Sequence, residues 1–315
     1  MLVTRSLVPA FSALCTLLLL SPVQTQNQPA PAGLPLARLN VIVIDGAGHS
    51  VDNVRKEDLQ LFDDGNPETI AEFSKEERSV SYGLVIDCSG SLKLQFQKIL
   101  EAAKQMITTN KADDETFIIT FVASNNVQTF RELTSDKNVL TSGLSTLKPG
   151  MGQTALIDAL YLATEYSIKH ESAAGNRRRA LVLISDGEDR SSYYKEDALF
   201  SLLAKSNLQV FILGLVEALD DQRGFVRESP QQKAVQFLTK LGEQTGGRTF
   251  FLDSEKDLPN AITEIAHDVH TQFVLGYQPT KNPEKVKRKV QIKVVASPEH
   301  KKWKVIGRRV IEVKR

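Results

Sequence analysis

Asp87, Ser89 and Ser91 stand on alternate positions in the stretch GLVIDCSGSLKLQF, where an apolar run gives way to an amphipathic one. Two readings of that alternation are open. Its oxygen atoms cap the helix that follows, or three oxygen-bearing side chains are aimed at a point where a hard cation sits. Two further oxygen-bearing residues occupy comparable places: Thr154 in PGMGQTALIDA, just before a helical pattern, and Asp186 directly after the apolar run ALVLIS. None of the five is His or Cys. An all-oxygen set suits Mg²⁺, with Mn²⁺ as an alternative, and argues against zinc and softer metals.

Other residues near these positions carry competing roles. Asp158, about one turn after Thr154, holds the loop or is an ordinary helix residue, while Glu188 and Asp189 supply an outer shell or are solvated loop charges. Cys88 has no His or basic neighbour in sequence to lower its pKa, so it reads as a small packed residue. His49, His170, His267, His270 and His300 form no H-E-x-x-H motif, and His267 and His270, three apart on a helical pattern, read as surface residues. The competing chemistry is a Mg²⁺-dependent phosphoryl transferase or hydrolase using Asp87 as nucleophile or ligand. Such a site wants a second carboxylate two residues on, and position 89 is Ser. The chain also has no Walker-type phosphate loop and no G-x-S-x-G elbow.

The elements that must position these residues follow from periodicity. From Val80 the chain alternates strand and helix patterns, which predicts an α/β fold with a doubly wound, mostly parallel sheet flanked by helices. Predicted strands are Tyr82 to Ile86, Thr116 to Val122, Arg179 to Ile184 and Gln209 to Leu215, with NNVQTFREL as an antiparallel edge strand and RTFFL as the last. LKLQFQKILEAAKQMITT, TALIDALYLATEYSIKH, KAVQFLTKLGEQTGG and LPNAITEIAHDVHTQF read as helices with one buried face. In such sheets ligands bind beyond the carboxyl ends of the strands, where Asp87, Ser89, Ser91, Thr154 and Asp186 all fall.

Before Val80, Leu39 to Ile44 reads as a strand and LQLFDDGNPETIAEFS as two more about an Asp64-Gly65 turn. After Phe273 strand periodicity returns, and the lysines of KVKRKVQIKVVA fall on the wet face of a half-buried strand whose apolar face is set by Val286, Val290, Ile292 and Val294. Neither flank has enough strands to bury a sheet alone. The two together predict one small β-sandwich, from which the α/β domain emerges as an insertion. The resulting organisation is a signal peptide at 1–25, a Pro/Ala linker at 26–36, a β segment at 37–79, the α/β domain at 80–270 and a second β segment at 271–315.

The order Asp-x-Ser-x-Ser, then a distant Thr, then a distant Asp resembles the metal ion-dependent adhesion site of the von Willebrand factor type A domain, over roughly residues 80–269. A closer resemblance is to secreted bacterial proteins related to that family, of the acidobacterial type. It is carried by KEDLQLFDDGNPETIAEFS, by TGGRTFFLDSEKDLPNAITEIAHDVHTQFVLGYQP and by VKRKVQIKV. Two departures stand beside the motif: Cys88 where Thr is usual, and Leu92 where Met is usual. The resemblance implies that Ser89, Ser91 and Thr154 bind the ion directly, while Asp87 and Asp186 act mainly through water or hydrogen bonds. It further implies a protein-binding module for adhesion or assembly, not an enzyme, whose ion takes an Asp or Glu carboxylate from a partner protein.

With 39 Lys plus Arg against 38 Asp plus Glu among 315 residues, the net charge of +1 gives no bias toward nucleic acid. Arg5, the apolar span from Leu7 to Leu20, then Ser21 and Pro22 follow the order of a secretory signal peptide, and that span is short for a transmembrane helix. The expectation is a secreted or periplasmic protein with no stable membrane span after signal removal. Removal takes Cys15 with it, leaving Cys88 alone and no intramolecular disulfide. No N-x-S/T acceptor occurs, which favours a bacterial product.

Overall fold

In a computed structural model the protein is described at residues 36–170, 176–219, 228–252, 254, 256–282, 284–298 and 300–312. The signal-peptide segment and nearly all of the linker lie outside these residues. Four strands come first: β1 (Ala37–Ile44), β2 (Leu59–Asp63), β3 (Asn66–Glu68) and β4 (Ile70–Glu77). Strand and helix then alternate through β5 (Val80–Asp87), α1 (Phe96–Thr109), β6 (Glu115–Phe121), β7 (Val127–Thr134), α2 (Lys137–Thr141), α3 (Leu156–Lys169) and β8 (Arg178–Ser185). The pattern continues with α4 (Glu196–Ser206), β9 (Gln209–Gly214), α5 (Pro230–Thr245), β10 (Thr249–Phe251) and α6 (Asp257–His270). The chain closes on β11 (Thr271–Tyr277), β12 (Lys287–Val294), β13 (Lys304–Gly307) and β14 (Val310–Glu312).

The central sheet runs β10-β9-β8-β5-β6-β7, parallel except for β7. This is the doubly wound arrangement the alternation predicts. Every residue of β5 is buried, as a central strand covered on both faces requires. Its side chains divide by period two: Val80, Tyr82, Leu84 and Ile86 join the cluster under α1 and α6, and Val85 joins the cluster under α3, α4 and α5. Gly83 is obligatory, because a Cβ there would sit 2.3 Å from the Phe117 ring. Helix α5 opens on a Ser229/Gln232 capping box with Pro230 behind it, and closes on left-handed Gly246. Helix α4 escaped the sequence reading because its buried face is only Leu199, Leu203 and Ser206, too narrow for a clear stripe.

Strands from both flanks interleave in two further sheets, β13-β1-β11-β4 and β14-β12-β2-β3. One apolar cluster is common to them, with Leu39 and Val41 from β1, Leu61 from β2, Leu275 and Tyr277 from β11 and Val290 from β12. The Asp64-Gly65 turn forms with both residues at positive φ, 48° and 81°, as a two-residue hairpin needs. LQLFDDGNPETIAEFS nevertheless makes three strands, not two. After three residues of hairpin the chain leaves at Ile70, which is buried in the shared core and pairs with Tyr277 in the opposite sheet. The lysines of β12 are exposed on alternate positions, while Arg288, in register with Val286 and Val290, is buried against Asp63 with Nη1 to Oδ2 at 2.5 Å.

A polar cluster joins the sandwich to the α/β domain. Arg248, just before β10, donates from Nη1 to Asp268 of α6 at 2.5 Å, to Glu264 at 3.3 Å and to Ser50 at 3.2 Å, and from Nη2 to the Gly48 carbonyl. Ser50, in the loop after β1, donates to Asp268 at 2.5 Å. At the end of α6, His270 is buried and bonds Asp114 at 2.7 Å through Nε2, which corrects its reading as a surface residue. His267 is partly exposed and contacts Asp268 and Asp52.

Candidate functional site

Three loops meet at the carboxyl ends of β5, β6 and β8. The first follows β5, where Ser89 opens a 3-10 turn from Gly90 to Gln95 that precedes α1. Neither this turn nor α1 has a side-chain cap at its N-terminus, so capping does not account for the alternate oxygens. Asp87 Oδ1 accepts the Ser89 N–H at 2.9 Å, and its Oδ2 accepts the Ser185 hydroxyl at 2.6 Å. The Ser89 and Ser91 hydroxyls lie 3.0 Å apart, and Ser91 donates to Asp186 Oδ2 at 2.6 Å. Asp186 Oδ1 accepts the Glu188 N–H at 3.0 Å. Asp87, Ser89, Ser91 and Asp186 are thereby linked in one hydrogen-bonded chain.

Thr154 stands at the start of α3 with its side chain buried. Its carbonyl accepts the N–H groups of Arg190 at 2.8 Å and Ser191 at 3.0 Å, from the loop that begins at Asp186. The N-cap of α3 is Ala155, which has no side chain able to cap, so that task is done from afar. Asp189 accepts the Ile157 N–H at 3.1 Å, and Ser192 accepts the Asp158 N–H at 3.1 Å. The Thr154 hydroxyl makes no hydrogen bond among the described residues and stays available. Asp158 accepts the N–H groups of Tyr193 and Tyr194, each at 2.9 Å, and so holds this loop. Glu188 pairs with Arg190 at 2.6 Å.

The electrostatics follow from burial. Asp87 and Asp186 are fully buried, and among the described residues neither accepts a hydrogen bond from a cationic side chain. Desolvation, reinforced by the charge of Asp186, pushes the Asp87 carboxyl up to about 7. Asp186 is also raised, mainly by desolvation. Two such carboxylates need either a proton or a cation between them. The chemistry of the donor set fits a hard divalent ion: hydroxyl and carboxylate oxygens, and no nitrogen or sulfur ligand. Among the described residues no group of three or more His, Cys, Asp or Glu side chains forms a metal cluster, so the hydroxyls are essential to any ion site here.

Ser185 is the participant that sequence reasoning missed. It orients Asp87 and also accepts the Gly187 N–H at 3.0 Å, and its only signal is its place beside Asp186 at the end of β8. Cys88 is buried in the cluster under α1, and burial, with the Asp87 charge second, pushes its thiol up to about 12. The thiol is therefore packing. Native protein at pH 8 is expected to react with a thiol-specific disulfide reagent only at the rate of unfolding, and prompt stoichiometric labelling would contradict this.

Residues 83–188 match the von Willebrand factor type A domain family, a span that contains all five oxygen-bearing positions. The segments carrying the closer bacterial resemblance lie outside it. No curated protein matches the chain. Among solved structures, BatB from Bacteroides thetaiotaomicron is 20% identical over 60% of this chain and 98% of its own, with a TM-score of 0.45. A von Willebrand factor type A protein from Catenulispora acidiphila is 11% identical over 90% of this chain and 74% of its own, with a TM-score of 0.48.

Proposed function

We propose that this chain, whose residues 83–188 match the von Willebrand factor type A domain family, is a protein-binding module, acting outside the cytoplasm, that captures a partner's Asp or Glu side chain through a Mg²⁺ ion. Ser89, Ser91 and Thr154 would hold the ion, with Asp87 and Asp186 behind them. When bound, the ion supplies an electrophilic centre with a site for an incoming carboxylate oxygen. The chain's own residues prepare that centre. Ser185 and the Ser89 N–H fix both oxygens of Asp87. Asp189 and Ser192 take over the capping of α3 and leave the Thr154 hydroxyl uncommitted. The single observation that carries the reading is the pair of buried carboxylates, whose hydrogen bonds among the described residues all come from hydroxyls and backbone N–H groups.

Asp87 is poorly suited to nucleophilic chemistry, since it is fully buried and both of its oxygens are engaged. Export rests on the pattern of residues 1–25 alone. No helix among the described residues is long and apolar enough to cross a membrane. Calorimetric titration of the wild type with Mg²⁺ and Mn²⁺ is expected to give one saturable site, absent from Asp87→Ala protein. Identical heats for the two proteins would refute the site.

A further inference from the structure

Exposed apolar side chains are ordinary when scattered, and informative when gathered. Among the described residues the large apolar side chains on the surface fall into two groups. Val139, Ile168 and Val286 are 45%, 38% and 48% exposed, whereas Leu94, Met151 and Tyr193 are 97%, 98% and 81% exposed. Those last three occupy the three loops of the oxygen cluster, one in each. Leu94 lies three residues after Ser91 in a 3-10 turn, where positions i and i+3 eclipse, so it projects from the same side as Ser91, while Leu92 is buried. Met151 follows Gly150, whose N–H donates to the Cys88 carbonyl at 2.7 Å. Tyr193 is held by its own N–H on Asp158 in the first turn of α3.

Hydrogen bonds tie these loops into one surface. Gly150 reaches back to the first loop, and Arg190 and Ser191 reach Thr154 in the second. The charges on the same loops are not balanced. Lys93 and Lys148 are exposed, whereas Arg190 and Glu188 are paired with each other and Asp189 is spent on the α3 N-terminus. The surface is thus apolar at three points and cationic at its rim, which complements an acidic segment bearing large apolar side chains. Methionine and tyrosine suit such contacts, one by adaptability and the other by rigid amphipathic area.

We propose that Leu94, Met151 and Tyr193 form an apolar collar about the cation position, and that the partner is a protein segment whose Asp or Glu is flanked by large apolar residues. This rests on the Mg²⁺ reading above and adds the chemistry of the partner to it. The collar supplies area and selectivity; the ion supplies the anchor. Because these side chains are almost wholly solvated, removing them leaves the fold and the oxygen cluster intact.

The test is a random heptapeptide phage library panned on the full chain in Mg²⁺ and eluted with a chelator. The expected sequences carry Asp or Glu within two positions of Leu, Ile, Phe, Met, Trp or Tyr. A synthetic peptide from the selection should bind the triple variant Leu94→Ser, Met151→Ser, Tyr193→Ser at least about tenfold more weakly, while that variant's Mg²⁺ titration matches wild type. Acidic peptides without apolar neighbours, no enrichment at all, or undiminished binding to the triple variant would each overturn the collar while Mg²⁺ binding stands. Failure of wild type to bind Mg²⁺ would instead overturn the reading beneath it, and the collar with it.

Discussion

In a chelator at pH 8, Asp87→Asn protein is expected to melt at a higher temperature than wild type, with the two curves converging as pH falls toward about 4. The sign follows from the direction of the shift. Burial and Asp186 raise the Asp87 carboxyl to about 7, above its ordinary 3.8, so the fold favours the protonated form. That contribution is fully present below the unfolded pKa and is lost as pH rises through the folded one. At about 1.4 kcal/mol per unit, the ion-free wild type loses at most on the order of 4 kcal/mol across this range. Asparagine keeps the shape without the charge and escapes the loss. Its amide still accepts the Ser89 N–H, and the Ser185 hydroxyl can rotate to accept from it. His267, raised first by its bond to Asp268, titrates in the same direction in both proteins and cancels in the comparison. In saturating Mg²⁺ the order should reverse, since the ion replaces the proton and needs the carboxylate. Melting curves in both conditions from pH 4 to 8 decide the matter. An Asp87→Asn protein less stable than wild type at pH 8 in chelator would show that Asp87 is not held as a strained carboxylate.

At pH 8 Arg248→Met should cost about 3–5 kcal/mol, because it leaves Asp268, which is fully buried, beside Glu264 with no side-chain partner among the described residues but the Ser50 hydroxyl and His267. The loss comes less from the missing attraction than from the uncompensated charge. A second substitution, Asp268→Asn, removes that charge and should recover part of the stability. Urea unfolding followed by the single tryptophan, Trp303, reports the sandwich beside β13, and far-ultraviolet dichroism reports the helices. The two wild-type transitions should coincide, since the Arg248 cluster joins the loop after β1 to α6. A loss below about 1 kcal/mol would place the cluster with ordinary surface pairs.

How far the sequence reached is clearest at particular residues. Val80 to Asp87 reads as a strand because its apolar run is long and bounded, and the structure buries all of it. The Asp64-Gly65 turn was legible because few residues tolerate paired positive φ. Arg288 was not. Its alternation with Val290 places it inward, but Asp63 on β2, distant in sequence, and the carbonyls of Lys281 and Asn282 make that burial tolerable. His270 was misread for the same reason: its partner Asp114 is far away in sequence and next to it in space.

By itself, the sequence determined the residue types and the periods: oxygen atoms alone at Asp87, Ser89, Ser91, Thr154 and Asp186, each beyond a strand or before a helix. The tertiary structure decided which of those oxygens are already spent. Ser185 takes one oxygen of Asp87 across 98 residues, and Asp189 caps α3 across 32, leaving the Thr154 hydroxyl without a hydrogen bond among the described residues. It also decided that Leu94, Met151 and Tyr193, one on each of the three loops, are left exposed. The reason is physical. Periodicity is set by local backbone geometry, whereas hydrogen-bond partners and exposure are set by strand order, which brings distant loops to the same edge.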